Sequence, residues 1–147
     1  MKQAFKDYCV AIGLSEFAQR RVDVVLNELS SIYEGIELND IFINELNRNG
    51  ERTFQSIWFF SDKHIIECKD FLSSDDYDLA IYKDQIQYFN ITKKDFSDIE
   101  NPSEKSSITI HVTFGKVELS ADLTALGINC KYALSIAKKY FIKGLLD

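Results

Sequence analysis

The sequence predicts an α+β domain: two helices, about seven short antiparallel strands and a closing helix. Three observations carry this. Apolar residues recur at the 3.6-residue period through the first 35 positions. From Asp40 to Leu123 the period falls to two, in short runs divided by turn residues. The helical period then returns near Lys131. Helices and strands segregated in this way belong to an antiparallel sheet, not to a βαβ architecture. The 147 residues suit one domain, 1–147, with a helical segment at 1–35 and the sheet plus C-terminal helix at 36–147.

Each element has its own signal. Residues 2–12 place Ala4, Phe5, Tyr8, Cys9 and Ile12 on one helical face, and Gly13 ends the run. Ser15 is a candidate N-cap for a second helix. Its stripe is Ala18, Val22, Val25, Leu26, Leu29, Ile32 and Tyr33, with Glu16–Arg20 as an outer i,i+4 pair and Gly35 at its end. Asp40–Asn47 and Arg52–Phe60 flank an Asn-Gly turn. Trp58 sits in the most apolar part of the second run and is predicted to be buried. Ser61-Asp-Lys63 turns into a strand at His64–Cys68, and residues 69–78 form an acidic loop. Leu79–Tyr82 and Gln85–Ile91 read as a hairpin around Lys83-Asp84. Residues 92–107, with the one proline, Pro102, form a loop. Ile108–Phe114 and Val117–Leu123 read as a hairpin around Gly115-Lys116. A helix at Lys131–Lys143, with Asn129 as N-cap, buries Ala133, Ile136, Ala137, Tyr140 and Phe141. Lys138, Lys139 and Lys143 lie towards its C-terminal end, where cations favour the macrodipole.

Composition narrows the function classes. At 46% hydrophobic residues the chain is too apolar for disorder, yet no stretch reaches the ~20 apolar residues of a membrane span. The N-terminal residues lack the long apolar core of a signal peptide. Cys9, Cys68 and Cys130 are odd in number and widely spaced, which suits buried reduced thiols. These features point to the cytoplasm. The net charge is −6, and residues 62–104 hold 11 acids against 5 bases. An acidic surface opposes nucleic acid, and it opposes strong attraction to anionic membranes.

No catalytic or metal constellation is legible, and no cofactor is implied. His64 and His111 each fall in a predicted strand. His64 and Cys68, four apart along an extended chain, are roughly 13 Å apart and cannot share a metal. No G-x-S-x-G, glycine-rich phosphate loop or H-E-x-x-H occurs. Ser73–Asp78 gathers Asp75, Asp76 and Asp78 but lacks the order of a calcium loop.

Three runs carry a resemblance: Ile57–Glu67 (IWFFSDKHIIE), Ile86–Glu100 (IQYFNITKKDFSDIE) and Ile108–Leu119 (ITIHVTFGKVEL). Over residues 36–143 their order resembles the bacterial pleckstrin-homology-like domains. The resemblance implies a strongly bent antiparallel sheet, or partly open barrel, of seven strands closed by the C-terminal helix. It leaves the leading helices as an addition. Eukaryotic relatives often bind phosphoinositides through Lys or Arg at the first hairpin. Here that loop offers Arg48 and Arg52, opposed by Glu51.

The expected function is a non-enzymatic interaction domain that binds another protein by a strand edge or by the acidic loop at Asp75, Asp76 and Asp78. The alternatives are an immunity- or antitoxin-type inhibitor of a basic toxin, and lipid-headgroup binding at Arg48 and Arg52. The partner's identity and the oligomeric state are not written in the sequence.

Overall fold

The structure, a computed structural model, describes residues 1–73, 75–82, 86–98, 100–115 and 119–142. Its elements are α1 (Gln3–Ala11), α2 (Glu16–Ile32), β1 (Asp40–Arg48), β2 (Glu51–Phe60), β3 (Ile65–Lys69), β4 (Asp78–Tyr82), β5 (Ile86–Lys94), β6 (Ser107–Phe114), β7 (Leu119–Leu126) and α3 (Asn129–Ile136). The class is α+β, as the segregated periodicities predict.

Among the described residues the strands form two antiparallel sheets, ordered β1-β2-β3-β4 and β5-β6-β7, with no closed barrel. This corrects the expected single sheet and, with it, the expected hairpin between β4 and β5. β4 pairs within the first sheet, whereas β5 takes its register from β6, with Phe89 opposite Val112 and Ile91 opposite Ile110. The proposed turn at Lys83-Asp84 lies outside the described residues. Contacts divide the chain into two compact units: Met1–Ile43 with Gln55–Ile81, and Asn44–Phe54 with Tyr82–Asp147.

In the first unit α1 stops in a helix-ending glycine motif. Gly13 has φ +79°, its N–H donates to the Val10 carbonyl, and the Leu14 N–H donates to the Cys9 carbonyl. Ser15 then caps α2 by accepting from the Ala18 N–H at 3.2 Å. Ala18, Val22, Val25 and Leu29 are buried as the period requires, but Ile32, the last residue of the helix, is 56% exposed. The Glu16–Arg20 pair is not among the ion pairs of the described residues. β2 and β3 form a hairpin, with Phe60 opposite Ile65 and Ser56 opposite Lys69. The Ser61 hydroxyl ties its turn by accepting from the Lys63 and His64 N–H groups. Ile57, Trp58, Phe59 and Phe60 are all fully buried, so this central strand is covered on both faces.

In the second unit Asn49 (φ +54°) and Gly50 (φ +83°) make the two-residue turn between β1 and β2 that the Asn-Gly pair predicts. β6 and β7 pair from Phe114–Leu119 to Ser107–Leu126, three residues past the predicted strand end. Part of their connection, 116–118, lies outside the described residues. Asn129 is the first helical residue of α3 and fully buried, and Ile128 takes the cap position. The chain continues from α3 as π-helical turns over Ala137–Ile142, which periodicity does not distinguish from α-helix. Ala133, Ile136, Ala137 and Phe141 are buried, α3 lies against β6 and β7, and the Phe141 ring meets Phe89 at 6.1 Å. Lys138 and Lys139 are exposed, and Lys143 lies outside the described residues.

Candidate functional site

The antiparallel pairing of β1 with β2 brings Glu45 beside Arg52. The Glu45 side chain is completely buried and accepts from the Arg52 Nε–H, while the Arg52 side chain remains 42% exposed. The Arg52 guanidinium also lies over the Phe54 ring, 5.3 Å from its centroid. The second Glu45 oxygen, Oε1, is buried with no hydrogen-bond partner among the described residues. Sequence reasoning identified Arg52 but missed Glu45. An acid just past the apolar Ile41–Ile43 run, seven residues from an arginine across a tight turn, was the available signal.

Arg52 lines a cavity of about 510 Å³ with Asn47, Gly50, Pro102, Glu104 and the Leu126–Ile128 turn. Ser106, fully buried, fixes its walls. The Ser106 hydroxyl accepts from the Ser103 N–H and donates to the Asp95 carbonyl at 2.7 Å, while its own carbonyl accepts from the Gly127 N–H at 2.9 Å. Beside this network burial, with a contribution from Glu45, pushes the Cys130 thiol up to about 11. Cys9 and Cys68 are also buried and rise to about 11 and about 12, with burial the leading cause in each. All three cysteines are free.

The other candidate residues fall in the first unit. Asp75, Asp76 and Asp78 are exposed, and none forms an ion pair among the described residues. Their loop is anchored at its base. Arg21 on α2 donates to the Phe71 and Ser73 carbonyls at 3.0 and 2.6 Å and lies over the Tyr77 ring. Tyr77 donates to Glu28 at 2.7 Å, and that bond holds its hydroxyl above the ordinary tyrosine range. The Ser73 hydroxyl accepts from the Asp75 and Asp76 N–H groups. Arg48 and Arg52 belong to the second unit, where Arg48 is exposed at the hairpin turn.

Four strands lie at sheet edges, and they are treated differently. On β1 the Ile43 N–H donates to the Tyr8 hydroxyl at 2.8 Å. On β7 the Asn44 carboxamide takes a strand's place: it donates to the Asp122 carbonyl and accepts from the Thr124 N–H. β4 has only five residues. β5 has nine, and among the described residues β6 alone hydrogen-bonds to its backbone. A register shift at Ile86–Tyr88 and the exposed Lys93 and Lys94 bound its free stretch, where Tyr88 is 52% exposed.

The two histidines lie in different units. His64 precedes β3 and its ring contacts Tyr33 at 5.4 Å, beside a second cavity of about 350 Å³. His111 meets Asp122 at 2.6 Å across the β6–β7 pair, both half exposed. Among the described residues no group of three or more His, Cys, Asp or Glu is placed to hold a metal, and no helix is long and apolar enough to cross a membrane. No protein-family model, no curated protein and no solved structure matches the chain.

Proposed function

We propose that the chain is a non-enzymatic protein-binding domain that takes an extended segment of a partner alongside β5. The observation that carries this is the contrast between edges. β1 and β7 each have an outward backbone group occupied by a side chain, whereas among the described residues the groups of β5 that alternate away from β6 have no partner. An added strand would satisfy those groups by main-chain hydrogen bonds, with Tyr88 as a side-chain anchor. Seven antiparallel strands followed by a helix is also the order that the pleckstrin-homology resemblance implies.

A second reading has its own support. The anchored acidic loop presents three carboxylates without a cation, the arrangement suited to an inhibitor of a basic protein. A polyphosphorylated lipid headgroup at Arg48 and Arg52 is disfavoured electrostatically, because Glu45 and Glu51 leave the two arginines too little net charge for several phosphates. A photo-crosslinking amino acid at Tyr88 or at Asp76, expressed in the native cell, separates the readings. A protein adduct from Tyr88, with slowed hydrogen exchange at Phe89–Thr92 in the complex, supports the β5 edge. Adducts from Asp76 alone support the acidic inhibitor, and none from either position overturns both.

A further inference from the structure

We propose that the cavity beside Arg52 is a binding site for a carboxylate that carries a neighbouring N–H donor, the chemistry of a peptide C-terminus or of an N-acylated amino acid. Arg52 is prepared for such a ligand. Its Nε is held by buried Glu45 and its plane is supported by Phe54, yet its side chain stays 42% exposed on the cavity wall. Its Nη groups have no partner among the described residues. A planar donor edge fixed in this way matches one carboxylate in the two-point geometry that lysine cannot reproduce.

The remaining wall defines the rest of the ligand. Glu104 faces the same cavity and forms no ion pair with Arg52, so it is available to accept an N–H. Pro102, Leu126 and Ile128 supply apolar surface for a small side chain, and Ile128 is 48% exposed. About 510 Å³ lies within the range of small-ligand sites. The acids around Arg52 argue against a polyphosphate: Glu45, Glu51 and Glu104 outnumber Arg48 and Arg52. Ser106 is a positioning residue here, because it ties the 102–104 loop to the Gly127 turn. The ion pair, buried on its Glu45 side, adds a further reason. Such pairs contribute little net stability compared with apolar packing, so holding Arg52 in one orientation is the more economical account of Glu45.

The test uses the full chain, labelled for backbone amide spectra, and three probes: acetyl-leucine, acetyl-alanyl-leucine with a free carboxylate, and that dipeptide as its carboxamide. Both carboxylates, or the dipeptide acid alone, should move the Gly50, Arg52, Leu126 and Gly127 signals saturably. The carboxamide should bind about tenfold more weakly or worse, the loss of a charge-assisted bond. Equal binding of acetyl-leucine and the dipeptide acid points to a free acylated amino acid, and binding of the dipeptide acid alone points to a chain terminus. Arg52→Lys keeps a cation beside Glu45 and should lose about tenfold in affinity with the remaining spectrum unchanged. The proposal is overturned if neither carboxylate shifts these signals at millimolar concentration, if the carboxamide binds equally well, or if a folded Arg52→Lys variant binds as the parent does. Should that variant not fold, the acid–carboxamide comparison on the unaltered chain still decides. These probes do not test the β5 edge, so the two proposals fail separately.

Discussion

Trp58 is fully buried in the middle of β2 and stacks with Phe60, two residues along on the same face, at 6.5 Å. Truncation to alanine removes the largest buried side chain, and Trp58→Ala should lower unfolding free energy by about 3–5 kcal/mol in a denaturant titration. The Glu45–Arg52 pair predicts an asymmetry. Arg52→Ala leaves a buried carboxylate without its cation and should cost about 2–3 kcal/mol, the lower end because Arg52 is half exposed. Glu45→Met combined with Arg52→Met should recover most of that loss, and additive losses in the double variant would show that the pair is not coupled. The cysteines give a pH dependence. Burial raises Cys9, Cys68 and Cys130 above their ordinary 9.0, so the folded chain favours the neutral thiol. Their contribution is complete below pH about 9 and is lost as pH rises through about 11 to about 12. At pH 8 native protein should resist iodoacetamide at all three positions and react fully in denaturant, as mass spectrometry would record.

At the scale of elements, the contrast between β5 and β7 rests on one side chain. Asn44 occupies an outward carbonyl and an outward N–H of β7 from a buried position. Asn44→Leu should therefore destabilise the chain by about 1–3 kcal/mol and speed amide exchange at Thr124 more than at Thr92. Equal effects on the two strands would mean that the carboxamide does not cap β7. The closing helix is an element of another kind. It is short and runs into π-helical turns, so packing of Ala133, Ile136, Ala137 and Phe141 must hold it. Phe141→Ala should cost about 3 kcal/mol or more, whereas Lys138→Gln should change stability by less than about 0.5 kcal/mol. A truncation at residue 128 that stays soluble and unfolds cooperatively would refute the structural role of this helix.

Taken as a whole molecule, the chain shows how far local patterns reach. Helix ends were legible at Ser15 and Gly13 because capping and left-handed backbone are local chemistry involving neighbouring residues. The Asn49-Gly50 turn and the burial of β2 were legible for the same reason. The acidic loop was visible as composition, but its anchoring by Arg21, 50 residues earlier than Phe71, was not. Of the charged residues that line the cavity, only Arg52 stood out in the sequence. Glu45, Ser106 and Glu104 come together with Arg52 through strand pairing and loop return, and their spacing carries no motif. By itself the sequence determined the class, the order of elements and most buried positions, because periodicity and turn chemistry act over a few residues. Tertiary structure alone decided that, among the described residues, seven strands make two sheets, that β5 has no partner on its outer edge while Asn44 caps β7, and that a buried acid sets Arg52. Each depends on which strand lies beside which, a choice made by long-range pairing that a one-dimensional pattern does not encode.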